Sequence, residues 1–131
     1  MSHKHEEIVR KIMIRWTEEK RGRLFKNDNG KAWRGRITEE RMIDGRKVLE
    51  LFGAVTIKYG LFPGSSDLVG WEFIRYGDQI APVFCAVEVK TKGDRVRDEQ
   101  RNWLDAVSRM GGRAYLAREE GEEYTVEEWV V

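Results

Sequence analysis

The chain has 131 residues, with 24 Lys and Arg against 23 Asp and Glu for a net charge of +1, and is 36% charged and 40% hydrophobic. That length suits one domain, and the balance excludes both a polar disordered chain and a membrane span built on a long apolar run. A single cysteine, Cys85, excludes an internal disulfide, and no basic-then-apolar leader opens the sequence, so the expectation is one intracellular domain over residues 1–131 with no membrane partner.

Within residues 5–20, Ile8, Val9, Ile12, Met13 and Trp16 recur at spacings of three and four, which predicts a helix with one apolar stripe. Ser2 stands where a cap would start it. At about 100° per residue, Glu6 falls on the flank of the stripe and Glu7 nearly opposite, so Glu6 is expected to look inward and Glu7 to face water. His3 and His5 read as a mobile start rather than as ligands, with His5 in line with the stripe and covering the helix end. Residues 26–36 are basic and Gly-punctuated, with turn chemistry at Asn27-Asp28-Asn29-Gly30, and read as loop or irregular strand. Strands are expected over 37–42 and 47–58, joined by a tight Asp44-Gly45 turn.

A turn-rich stretch at 60–66 leads into a strand over 67–74. Residues 82–91 are almost wholly apolar as far as Val87, the pattern of a strand covered on both faces, and Tyr76-Gly77-Asp78-Gln79 between the two is a hairpin loop. A second helix over 97–110 carries Gln100, Trp103, Leu104 and Val107 on one stripe and stops at Gly111-Gly112. A short strand at 113–118 precedes a Glu-rich end whose Tyr124, Val126, Trp129 and Val130 are apolar enough to pack on the body.

The near-zero net charge hides a division. Residues 1–118 carry +7, and residues 119–131 hold six Glu and no Lys or Arg. Charge runs are usually solvated faces, but a basic body also attracts phosphates whatever the sum.

The chemistry narrows by elimination. Two N-terminal histidines and one cysteine leave little for a Ser-His-Asp or Cys-His nucleophile or for a zinc cluster, and no glycine-rich phosphate cradle appears. What stands out is Glu88-Val89-Lys90 at the end of an apolar strand, with Asp67 at the start of the strand before it. Glu88 and Lys90 share a face by alternation, and such a pair is costly there without partners or a ligand. A hairpin centred near Asp78 puts Asp67 across from about Val89, within one residue of Glu88 and Lys90. Two carboxylates and the Val89 carbonyl suit Mg²⁺, which keeps several waters and binds phosphate oxygens. Glu6 could complete that site, and Gln100 points from the second helix toward the same sheet. Taken singly, each residue has a plain alternative: Asp67 a turn-ending aspartate, Glu88 and Lys90 a surface ion pair, Gln100 a partner for buried backbone. Trp16, Trp71 and Trp103 read as core, and Trp33, amid Lys31, Arg34 and Arg36, as the aromatic exposed beside phosphates.

Gly64-Ser65-Ser66-Asp67-Leu68-Val69-Gly70, then Ala86-Val87-Glu88-Val89-Lys90-Thr91, then Arg97-Asp98-Glu99-Gln100 leading into the helix that ends at Gly111-Gly112, together resemble the VRR-NUC domain, a branch of the PD-(D/E)XK nuclease superfamily. The resemblance runs from the first helix to Ala114-Tyr115-Leu116. It implies an α/β fold with a central mixed sheet flanked by helices, and hydrolysis of DNA phosphodiester bonds with Mg²⁺ or Mn²⁺. It implies Asp67, Glu88 and Lys90 as catalytic residues, Gln100 as the helix glutamine, and a helix carboxylate, for which the stripe geometry favours Glu6 over Glu7. Ser66 stands where the superfamily name has Pro, a replacement common in this branch. Small stand-alone members resemble phage or bacterial cytoplasmic proteins that act as homodimers on branched DNA such as Holliday junctions.

The expectation is therefore a structure-selective endodeoxyribonuclease whose Lys26, Lys31, Arg34, Arg36, Lys92, Arg95 and Arg97 contact the phosphates of branched or duplex DNA. The alternatives are a flap- or single-strand-directed nuclease and a DNA-binding module that keeps the fold without turnover.

Overall fold

The apolar stripe of the first segment folds as α1 (His3–Glu18), which buries Ile8, Val9, Ile12 and Trp16 and, at its start, His5. The computed structural model describes residues 3–131, so the expected cap Ser2 lies outside them. A strand follows that the sequence did not announce, β1 (Gly22–Lys26), in which only Leu24 is buried. Five residues with one inward apolar position carry almost no period-two signal.

The chain folds as two compact units, residues 28–61 and the remainder. The 28–61 unit is an antiparallel hairpin of β2 (Gly30–Ile43) and β3 (Arg46–Tyr59). Asp44 and Gly45 form its turn with φ of 51° and 75°, the mirror-image geometry that Asp-Gly favours. Residues 30–36, expected as loop or irregular strand, are strand with an irregularity in the ladder at Arg34/Arg36. Their apolar positions alternate poorly because two register shifts, at Arg34/Arg36 and Ile37/Glu39, break the pattern. Like charges stand directly opposite each other at Lys31 and Lys58 and at Glu39 and Glu50.

The larger unit is built on a five-stranded sheet in the order β1-β4-β5-β6-β7. Its other strands are β4 (Leu68–Tyr76), β5 (Gln79–Lys90), β6 (Arg113–Glu120) and β7 (Glu123–Trp129), with α2 (Asp98–Arg109) between β5 and β6. β5 and β6 run parallel and every other pair antiparallel, so the sheet is mixed and the protein is α/β. Along β5 the side chains alternate: Cys85, Val87 and Val89 pack with α1, Leu24, Leu68 and Tyr115, while Ala86 packs with Leu104, Val107 and Ala114 beneath α2. That alternation explains the unbroken apolar run and sends Glu88 and Lys90 to the α2 face. Leu104 is fully buried at the centre of the α2 packing, so Leu104→Ala is expected to cost about 3 kcal/mol in a urea titration, against little change for the exposed Met110→Ala.

Trp71, expected in the core, is 38% exposed and packs at a tilt against Phe25. Its neighbour Glu72 points to the α1 face instead, where Arg21 donates to it at 2.6 and 3.0 Å and the Tyr115 hydroxyl also donates. Arg21 in turn lies 3.7 Å from the Trp16 ring. The Glu-rich end packs on the body as β7, with a bidentate Arg15–Glu123 pair at 2.8 and 3.2 Å and a 2.7 Å bond from Trp129 to Asp105. No helix among the described residues is long and apolar enough to cross a membrane.

Candidate active site

The β4–β5 register places Leu68 opposite Val87, so Asp67, one residue outside the ladder, meets the Glu88 end of β5. The turn before Asp67 is fixed from two sides. Asn27, just beyond β1, donates to Ser65 Oγ at 2.8 Å and to the Ser66 carbonyl at 2.9 Å, and its own N–H bonds the Asp67 carbonyl. Gly64, at φ of 90°, lies so close to α2 that a Cβ there would stand 2.6 Å from the Glu99 carbonyl oxygen. Both its conformation and its lack of a side chain are needed for the turn to sit on the first turn of α2.

The Asp67 carboxylate accepts the Val89 N–H at 2.8 Å. Backbone N–H and C=O of one strand residue point to the same side, so the Val89 carbonyl faces the same edge of β5. Across the strand end, Gln100 bridges the pair next door: it donates to Glu88 Oε1 at 3.0 Å and accepts from Lys90 Nζ at 2.8 Å. The same Gln100 oxygen accepts the Arg97 N–H at 3.0 Å, which ties the bridge to the start of α2. Asp67, Glu88, Val89, Lys90, Arg97 and Gln100 thus line one cleft of about 310 Å³.

Glu88 and Lys90 are buried, with Lys90 Nζ 3.8 Å from Glu88 Oε1. Burial pushes the Glu88 carboxyl up to about 9, the nearby Asp67 adds to the rise, and Lys90 only partly opposes it. The Glu88 carboxyl therefore keeps a proton at neutral pH that an arriving cation would displace. Among the described residues no group of three or more His, Cys, Asp or Glu side chains is gathered tightly enough to enclose an ion. Two carboxylates, a carbonyl and open space for water form the donor set that Mg²⁺ or Mn²⁺ accepts, so the residues fit such an ion.

The structure does not bring Glu6 into this cleft. Its Oε2 pairs with Lys26 Nζ at 2.9 Å, which holds its carboxyl below the usual range, and both line a separate pocket with Glu7 and Arg10. Glu7, expected in water, is part-buried and 3.6 Å from Lys11. The inward place on α1 belongs to His5, one residue earlier and about 100° round the helix. Rather than forming a mobile start, His5 is 8% exposed, and its Nε2 stands 3.3 Å from Asp67 Oδ2 in the cleft. The signal for it was the stripe itself, which His5 extends by one turn from Ile8 and Val9.

The basic residues fall on both units. Arg97 lines the cleft, and Arg95 lies in an adjoining hollow with Arg101, Arg118 and Trp129. Lys92 is exposed, whereas Lys26 is engaged by Glu6. Lys31, Arg34 and Arg36 are exposed on β2 of the hairpin unit, where Trp33 is 65% exposed.

The sequence model of one protein family, described as the VRR-NUC domain, matches residues 4–120 of the chain. No curated protein matches it.

Proposed function

Since the chain belongs to the VRR-NUC domain family, which implies nuclease-type processing of DNA, we propose that it is a divalent-metal-dependent endonuclease that selects branched DNA, cutting Holliday-type junctions as a homodimer. The observation that carries this reading is the Asp67–Glu88–Lys90 group gathered with Gln100 at one end of the sheet. Asp67, Glu88 and the Val89 carbonyl are the residues to hold Mg²⁺ or Mn²⁺. Such an ion, when bound, neutralises the scissile phosphate and acidifies a water.

The chain's own residues supply the rest. The Val89 N–H fixes the Asp67 carboxylate, and Gln100 fixes Lys90, so neither group reorients as charge develops on the phosphate. Lys90 orients the attacking water or stabilises that charge, with its ammonium delivered from a buried stem rather than from a swinging surface chain. Glu6 acts here only as the partner of Lys26. Lys26, Lys31, Arg34, Arg36, Lys92, Arg95 and Arg97 supply phosphate contacts that position the duplex without reading bases. One copy covers few base pairs, so two symmetric cuts in a junction call for a two-fold pair. The 28–61 hairpin is read as an insertion within a single nuclease domain of a cytoplasmic, bacterial or phage-encoded protein.

The test is a panel of four-way junction, flap, nicked and plain duplex DNA incubated with Mg²⁺ or Mn²⁺. Wild type is expected to cut the junction in both symmetric strands, and Asp67→Asn to cut at least ~10³-fold more slowly, a loss of about 4 kcal/mol in barrier lowering. Preference for the flap or a single strand would replace the junction assignment. Cleavage that Asp67→Asn leaves intact would remove the catalytic one.

A further inference from the structure

We propose that His5 is a nitrogen ligand of this site, so that the cleft favours Mn²⁺, and Co²⁺ more strongly, over Mg²⁺. The inference rests on the metal-dependent reading above and deepens it. Helix α1 delivers the imidazole by phase: His5 prolongs the buried line of Ile8, Val9 and Ile12 and lies at the end of α1 that faces Asp67. The ring is almost wholly buried and forms part of the cleft wall beside Asp67.

Spacing is the second observation. Two ligand atoms at bonds of ~2.1 Å from one ion stand ~3.0 Å apart in octahedral geometry and ~3.4 Å apart in tetrahedral geometry. His5 Nε2 and Asp67 Oδ2 stand 3.3 Å apart, inside that window. Asp67 cannot readily turn away from the histidine, because the same Oδ2 is held by the Val89 N–H. His5, Asp67, Glu88 and Val89 line the one cleft, so a donor set of oxygens acquires a nitrogen at its edge.

A nitrogen donor changes selection in a definite direction. Mg²⁺ prefers oxygen and water, whereas affinity for an imidazole-bearing site rises from Mn²⁺ to Co²⁺ along the first transition row. A carboxylate in the same place would remove that bias.

The experiment uses untagged full-length protein and the metals alone. Pulsed electron paramagnetic resonance of bound Mn²⁺ reads coordinated nitrogen directly in wild type, whatever the variants do. The expected result is a ¹⁴N coupling that persists in His3→Gln and vanishes in His5→Gln. Calorimetric titration is expected to show the Mn²⁺:Mg²⁺ affinity ratio falling roughly tenfold in His5→Glu, and the Co²⁺:Mg²⁺ ratio falling further, in protein whose circular dichroism is unchanged. Mn²⁺ binding that needs Asp67 but shows no ¹⁴N coupling overturns the assignment of His5 and leaves the metal site standing. The same follows if the ratios are equal in wild type and His5→Glu. Absence of any Mn²⁺ binding overturns both this assignment and the metal-dependent reading on which it rests.

Discussion

The metal-free protein carrying Glu88→Gln is expected to melt at a higher temperature than wild type at pH 8, with the gain disappearing as the pH falls toward 5. The sign follows from the carboxyl's two environments. In the folded chain burial and the neighbouring Asp67 raise it to about 9, from an ordinary value of 4.5. Between those two values the folded state keeps a proton that the unfolded state releases, so the stability of wild type falls as pH rises through the interval. The amide of glutamine has no proton to lose and escapes the fall. The gain at pH 8 is put at about 1–3 kcal/mol, less than the full linkage value because a partly hydrated cleft and Lys90 soften the penalty. Thermal melts in a chelator from pH 5 to 9 measure it. The same substitution removes a candidate ion ligand, so the stabilised variant should neither bind Mn²⁺ as wild type does nor cut DNA. A site kept for chemistry at the expense of stability behaves in this way. Parallel pH profiles for variant and wild type would mean that Glu88 is not held protonated in the fold.

Lys90→Met is expected to lower kcat by about 10³-fold while KM for DNA stays within about threefold. The Lys90 side chain is 4% exposed and already bonded to Gln100, so it adds little to the field that attracts a duplex. Surface cations such as Arg95 do the reverse: their loss should raise KM and reduce salt sensitivity while leaving kcat alone. Lys90→Arg should not restore the rate, because a planar guanidinium does not fit the space between Gln100 and Glu88 that a compact ammonium fills. A rise in KM with kcat preserved would make Lys90 a docking cation instead of a group at the reacting centre.

Most of the site's framework was legible because it rests on patterns that survive in a single sequence. Alternation put Glu88 and Lys90 on one face, the Asp78 turn set a register within one residue of the observed one, and the α2 stripe aimed Gln100 at the sheet. What escaped depended on tertiary packing rather than on periodicity. β1 is too short to show a period and is defined by its partner β4, with Gly22 facing Glu72 and Lys26 facing Leu68. Residues 30–36 could be read no further than loop or irregular strand, because the register shift at Arg34/Arg36 and charges on both faces mask the period. Trp71 was assigned to the core by type, but the tertiary packing leaves it 38% exposed. On α1 the resemblance called for a carboxylate and the stripe chose Glu6 over Glu7, whereas the side chain beside Asp67 is His5, which already lay on the stripe.

The hairpin's place in the chain also bears on how the sheet forms. β1 and β4 are neighbours in the sheet, yet Lys26 and its partner Leu68 are about forty residues apart in sequence, with β2 and β3 between them. A two-stranded ribbon joined by an Asp-Gly turn zips within microseconds, and once Gly30 faces Tyr59 the stretch left to close shrinks to about eleven residues. By the logarithmic scaling of loop entropy this lowers the closure cost by about 1 kcal/mol. Early pairing of the ribbon would therefore speed the search by which β1 finds β4, giving residues of the hairpin unit influence over the rate at which the cleft is assembled.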